Sequence, residues 1–166
     1  MGTDVHFFLE RRINGGPWTP DPKHVSATPH IEHSELPCLG ARSYEFFGLI
    51  SGVRSMTKSL YEPRGLPSDL SEDLRTIYDV RMYHTPSWLW PFEVERALSK
   101  HFKRRHLALT KQGNLQDYED PFRGEWRLDY SAIIYIDRIL DMEKAENLLL
   151  NTDNKTEFRF VFWFDS

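Results

Sequence analysis

The sequence predicts an α+β fold: a mainly antiparallel sheet that contains both terminal strands, covered by three or four helices. Three observations carry this expectation. Residues 4–13 place Asp4, His6, Phe8 and Glu10 on one face of a strand and Val5, Phe7 and Leu9 on the other. Residues 156–166 alternate Phe158, Phe160, Phe162 and Phe164 with Glu157, Arg159, Val161, Trp163 and Asp165, a second strand pattern. Between them, apolar residues recur at helical spacing in several stretches. The two end strands are expected to be neighbours in the centre of one sheet.

The intervening chain follows from its breakers and caps. Asn14-Gly15 supplies the positive φ angles of a tight hairpin turn, and Trp18 and Thr19 return beside the first strand. Residues 20–41 hold Pro20, Pro22, Pro29 and Pro37 and read as a long irregular loop carrying His24, His30 and His33. Solvated histidines are the plain reading there, and a His30/His33 metal pair the sharper one. Ser43 can cap a helix over about 44–54, with Phe46, Phe47, Ile50 and Val53 on its core face. Gly48 and Gly52, four apart, would admit a close backbone approach. Two prolines and a glycine make 61–69 a rigid loop. Ser71, with Glu72 and Asp73 behind it, starts a helix to about Val80 that turns Leu74, Ile77 and Tyr78 inward.

Residues 84–89 read as a short extended segment, and Pro91 opens a helix to about Arg104 with Phe92, Val94, Ala97, Leu98 and Phe102 as its core stripe. The basic run 100–106 is read as the solvated end of that helix, with an anion patch as the alternative. Residues 113–126 are polar and irregular. A helix over about 130–150 is expected to bury Ile133, Ile136, Ile139, Leu140 and Leu148, although 132–136 also suits a strand.

Composition bounds the function. The chain has 166 residues, 40% of them hydrophobic and 14% aromatic, enough for a single globular domain spanning 1–166 with a core of large rings. Twenty-one Lys and Arg against 25 Asp and Glu leave a net charge of −4, which gives no overall attraction to nucleic acid or an acidic membrane. The one cysteine, Cys38, excludes an internal disulfide and a cysteine-based zinc cage. No run approaches the roughly 18 apolar residues of a membrane span, and no signal segment precedes the first strand. The expected compartment is therefore the cytoplasm.

Four segments stand out: Gly2-Thr3-Asp4-Val5-His6, Glu62-Pro63-Arg64-Gly65, His84-Thr85-Pro86-Ser87-Trp88-Leu89 and Phe162-Trp163-Phe164-Asp165. In that order they resemble a group of small bacteriophage-type proteins that begin with Gly-Thr-Asp-Ile-His and end in Phe-Trp-Phe-Asp. The resemblance spans nearly the whole chain, and departs where those proteins often carry an Asp before the third segment, which here reads Met82-Tyr83. It implies a phage or mobile-element accessory protein acting in the host cytoplasm, and no particular chemistry.

The polar residues of these segments, Asp4, His6, Glu62, Arg64, His84, Ser87 and Asp165, are the candidate site. A pocket of Arg64, His84, Ser87 and Trp88 would bind a small phosphate-bearing ligand, such as a nucleotide or a nucleotide immune signal, by ring stacking and charge. That activity would antagonise host defence. Alternatively Asp4, His6 and His84 would hold a divalent metal for phosphodiester hydrolysis, with Arg64 and Ser87 on the phosphate. A third reading is an interaction module docking on a host protein through Trp18, Trp88 and Trp90. The plainer alternative pairs Asp4 and His6 with Arg64 or Asp165 to close the sheet end.

Overall fold

Alternation at the two ends of the chain sets the architecture. In a computed structural model, which describes residues 3, 5–21, 39–41, 44–54, 58–112 and 155–165, strand β1 (Val5–Ile13) runs antiparallel to the closing strand over its whole length. The pairing starts at Val5 opposite Phe164 and ends at Ile13 opposite Thr156. Asn14 and Gly15, at φ 51° and 70°, turn the chain, and the Gly16 N–H donates to the Ile13 carbonyl. Strand β2 (Thr19–Pro20) then returns beside Glu10 and Arg11, while β3 (Leu39–Ala41) pairs with Val5 to Phe7 on the same edge.

Helix α1 (Tyr44–Ser51) is followed by Gly52 at φ +75°, whose N–H donates to the Gly48 carbonyl, a glycine stop that ends it three residues before the expected boundary. Helix α2 (Glu72–Ile77) begins at Ser71, whose hydroxyl accepts from the Leu74 N–H as expected. It ends at Tyr78, in extended conformation, rather than near Val80. Strand β4 (Tyr83–Leu89) forms where only an extended segment was expected, and helix α3 (Pro91–Gln112) follows at once. The closing strand is β5 (Thr156–Asp165), giving the antiparallel order β2-β1-β5-β4 with β3 as a second partner of β1. The α+β prediction holds, with both end strands in the sheet and three helices among the described residues.

Opposed residues of antiparallel strands share a face, so the register divides the core in two. Val5, Phe7, Leu9, Leu89 and the four phenylalanines of β5 pack against Phe46, Phe47 and Ile50 of α1 and Val94, Ala97 and Leu98 of α3. Phe7 stacks on Phe162 at 5.0 Å between ring centres, and Phe47 meets Phe164 edge-on at 5.1 Å. On the opposite face Phe8, Val161 and Trp163 are covered by Leu70, Leu74 and the half-buried Leu66, Tyr78, Tyr83 and Trp88.

Two features of α3 differ from the sequence reading. The helix runs on to Gln112, because Lys and Arg are good helix formers and no glycine or proline intervenes before Gly113. The basic run 100–106 therefore lies inside the helix and not at its end. Phe92 is 66% exposed, since the buried residues Val94, Ala97, Leu98 and His101 define a stripe on another side. The loop histidines, the Ser43 cap, Asp4, the 113–126 stretch and the helix expected over 130–150 lie outside the described residues.

Removing a core ring should distinguish these positions. Phe162→Ala, at a site with no exposed surface, is expected to cost about 3–5 kcal/mol in urea denaturation. Phe92→Ala should change stability by less than about 0.5 kcal/mol.

Candidate functional site

The polar positions of β1 and β5 that share a face with Phe8 and Trp163 form a ladder. Glu10 stands opposite Arg159 and Arg12 opposite Glu157. Arg159 is buried, and its Nε donates to Glu10 Oε2 at 2.7 Å while Nη1 donates to Asp69 Oδ1 at 2.6 Å. Its Nη2 donates to the Asp69 carbonyl, and the other Glu10 oxygen accepts the Ser71 N–H at 3.0 Å. A charge taken out of water needs such complete pairing. Trp18 closes the group: its indole N–H donates to Asp69 Oδ2, and the Arg159 and Arg12 guanidinium carbons lie 4.1 Å and 4.6 Å from its ring centre.

A groove of about 550 Å³ runs beside this network, between the hairpin turn and residues 68–75. Its wall includes Arg12, Gly15, Gly16, Trp18, Ser68 and Arg75. Arg12 Nε donates to Glu157 at 2.8 Å, and Arg75 Nη2 donates to the Ser68 and Leu70 carbonyls. The acids at the groove are already answered. Burial works against ionisation of Asp69, but the hydrogen bond and charge of Arg159 and the bond from Trp18 outweigh it and hold its pKa below the usual carboxylate range. Glu72 is largely solvated and lies 3.9 Å from Arg75 Nε.

Arg64 and Ser87, singled out by the sequence, meet at the far edge of the sheet. The Arg64 N–H donates to the buried Ser87 hydroxyl at 3.1 Å. The guanidinium lies 4.8 Å from the Trp88 ring centre and bonds Glu93 through both of its terminal nitrogens. Glu93 also accepts the Trp90 N–H, which caps α3. Burial opposes the Glu93 charge, but the bonds from Arg64 and Trp90 prevail and its pKa is lowered. The Arg64 fork expected to grip phosphate is thus occupied by an internal carboxylate, one that sequence spacing did not reveal.

His6 and His84 come together only through Asp165. His6 stands opposite Trp163, and His84 opposite Phe164, so their side chains occupy opposite faces of the sheet. His6 Nε2 lies 3.1 Å from Asp165 Oδ2, and His84 Nε2 lies 3.2 Å from the Asp165 carbonyl. His84 Nδ1 adjoins Thr85 Oγ1 at 2.9 Å. His6 therefore pairs with Asp165, the plainer of the two alternatives. No group of three metal-ligating side chains occurs among the described residues, which leave out Asp4. Glu62 is exposed, and no helix among the described residues is long and apolar enough to cross a membrane.

Neither family models, nor curated proteins, nor solved structures match this chain. Glu10, Arg159, Asp69 and Glu93 were absent from the sequence-based site, and Trp18, expected as an exposed docking ring, is buried with its N–H on Asp69. Registering the two end strands against each other would have found the first two, because the only buried acid of β1 then faces the only buried cation of β5.

Glu10→Gln is expected to destabilise the fold by about 3–5 kcal/mol in urea denaturation, whereas the double change Glu10→Leu/Arg159→Met should cost less than the single one. Asp69, Glu93 and Glu157, the last lowered chiefly by its bond from Arg12, release their protons more readily folded than unfolded. Their contribution is complete above the unfolded carboxylate values of about 4 and is lost as pH falls through the lower folded ones. A plateau in urea midpoint between about pH 5 and 7, then a fall below about pH 4 that shrinks in Glu157→Gln, is the expected profile.

Proposed function

We propose that this chain is a bacteriophage-type accessory protein that binds a small phosphate-bearing ligand without transforming it, and that the groove beside Trp18 receives the ligand. The observation that carries the reading is that two arginines from distant segments, Arg12 of β1 and Arg75 of α2, line one groove together with Ser68. Guanidinium forks match phosphate oxygens in pairs, and hydroxyls and turn amides complete such cradles. Both arginines are already oriented by internal partners on one side, which lowers the ordering cost of binding. Asp69 is paired with Arg159 and lies 4.0 Å from Arg12, and Glu72 lies 3.9 Å from Arg75 with most of its side chain in water, so an incoming anion competes with these acids for the two arginines.

The phage setting rests on the four sequence motifs alone. Within it, a nucleotide signal of host immunity is the ligand whose capture would blunt host defence. Hydrolysis by a metal held between Asp4, His6 and His84 is the weaker reading, because His6 and His84 stand on opposite faces of the sheet and each turns Nε2 to Asp165.

A panel of pyrophosphate and nucleoside mono-, di- and triphosphates, screened by thermal shift and isothermal titration, tests the proposal. At least one member should raise the melting temperature with chelator present and be recovered intact. Arg75→Ala should then weaken it by about tenfold or more, the size of one charge-assisted hydrogen bond. No shift with any member, or hydrolysis that disappears with EDTA, would refute it.

A further inference from the structure

Strand β4 lies at the edge of the sheet, and among the described residues β5 is its only strand partner. Exposed edges are normally covered. Here the cover is the segment 62–65, which is not a strand. The Arg64 N–H donates to Ser87 Oγ and the Gly65 N–H donates to the Pro86 carbonyl, each at 3.1 Å. Arg64 Nη1 adds a bond to the Trp88 carbonyl at 3.2 Å. Glu62, Pro63 and Arg64 are exposed, so little apolar burial holds this part down, while Tyr61, whose hydroxyl donates to the Glu93 carbonyl, and Leu66 pack on the two core clusters and fix its ends.

The strand beneath is irregular at the covered point. Its register against β5 slips between His84 and Ser87, and Thr85 sits at φ +49°. A β-branched residue rarely adopts that conformation, and such strain persists only when neighbours enforce it. The strap bonds the next two residues. Its strongest tie is the paired bonding of the Arg64 guanidinium with Glu93, backed by the Trp88 ring.

We propose that residues 62–65 form a strap, anchored at the packed residues Tyr61 and Leu66, that opens without unfolding the sheet, and that the Arg64–Glu93 ion pair is its latch. Closed, the strap shields the Ser87 hydroxyl, which has no exposed surface, and stacks Arg64 on Trp88. Open, it uncovers both, together with the outer carbonyls of Pro86 and Trp88. Local opening of this kind is expected where backbone hydrogen bonds lie near solvent and few apolar contacts back them.

Hydrogen exchange read at single amides decides the matter. The Arg64 and Gly65 amides should exchange by local opening, far faster than those of Phe8 and Phe162 in the central strands. Glu93→Gln, which keeps a capping oxygen for Trp90 but removes the charge, should accelerate the strap amides by about tenfold and leave Phe8 and Phe162 unchanged. Arg64→Lys, which keeps charge but loses the fork, should accelerate them less. Strap amides that exchange at the rate of the central strands in the wild type would overturn the proposal, as would fast exchange indifferent to both substitutions. The wild-type comparison stands even if either variant fails to fold.

Discussion

Arg159 is a full positive charge inside a sheet, and most of the architecture around the second core face follows from accommodating it. Its partners come from three separate places: Glu10 on the neighbouring strand, Asp69 on the loop before α2, and the Trp18 ring beyond the hairpin turn. Glu10 in turn accepts the Ser71 N–H, and so sets where α2 begins. One buried cation thus positions a strand, a helix start and a turn relative to one another. Removing Arg159 leaves the buried Glu10 without its counter-charge, and removing Glu10 leaves Arg159 only the part-exposed Asp69, which is why the network behaves as a unit and not as separate bonds.

The central pair of strands gives this charge its address. With β1 and β5 antiparallel and Val5 opposite Phe164, the even-numbered polar positions of β1 and the odd-numbered ones of β5 are forced onto one face. A slip of one residue would bring the phenylalanines of β5 to the wrong side and separate Glu10 from Arg159. Hydrophobic alternation and charge pairing therefore select the same register, a consistency that favours one structure over its competitors.

Strand alternation made the architecture legible, because Phe158 to Phe164 and Val5 to Leu9 carry a period-two signal that tertiary context did not override. Caps and stops were legible in part: Ser71 and Pro91 mark helix starts in the sequence, whereas the end of α3 was misplaced by reading its Lys and Arg as a terminus. The candidate site was less accessible. His6 and His84 both meet Asp165, but their opposite faces depend on a register and a bulge that no local pattern encodes. Arg64 was recognised as important, yet its partner Glu93 lies 29 residues away, on a helix whose approach only the folded chain defines. The distinctive motifs did not reveal which of their charges were already committed to internal partners.

The pairing of β1 with β5 also has a temporal side. Glu10 and Arg159 are 149 positions apart, so on a ribosome the first strand emerges long before the residues that will neutralise its buried carboxylate. Until β5 is synthesised, Phe7, Phe8 and Leu9 have no central partner strand and must wait as an uncovered apolar segment. Closing so long a loop is slow on entropic grounds. The ten residues of β5 therefore complete the sheet late, and the contact that joins them to the first strand is the one that gives Phe7, Phe8 and Leu9 their central cover.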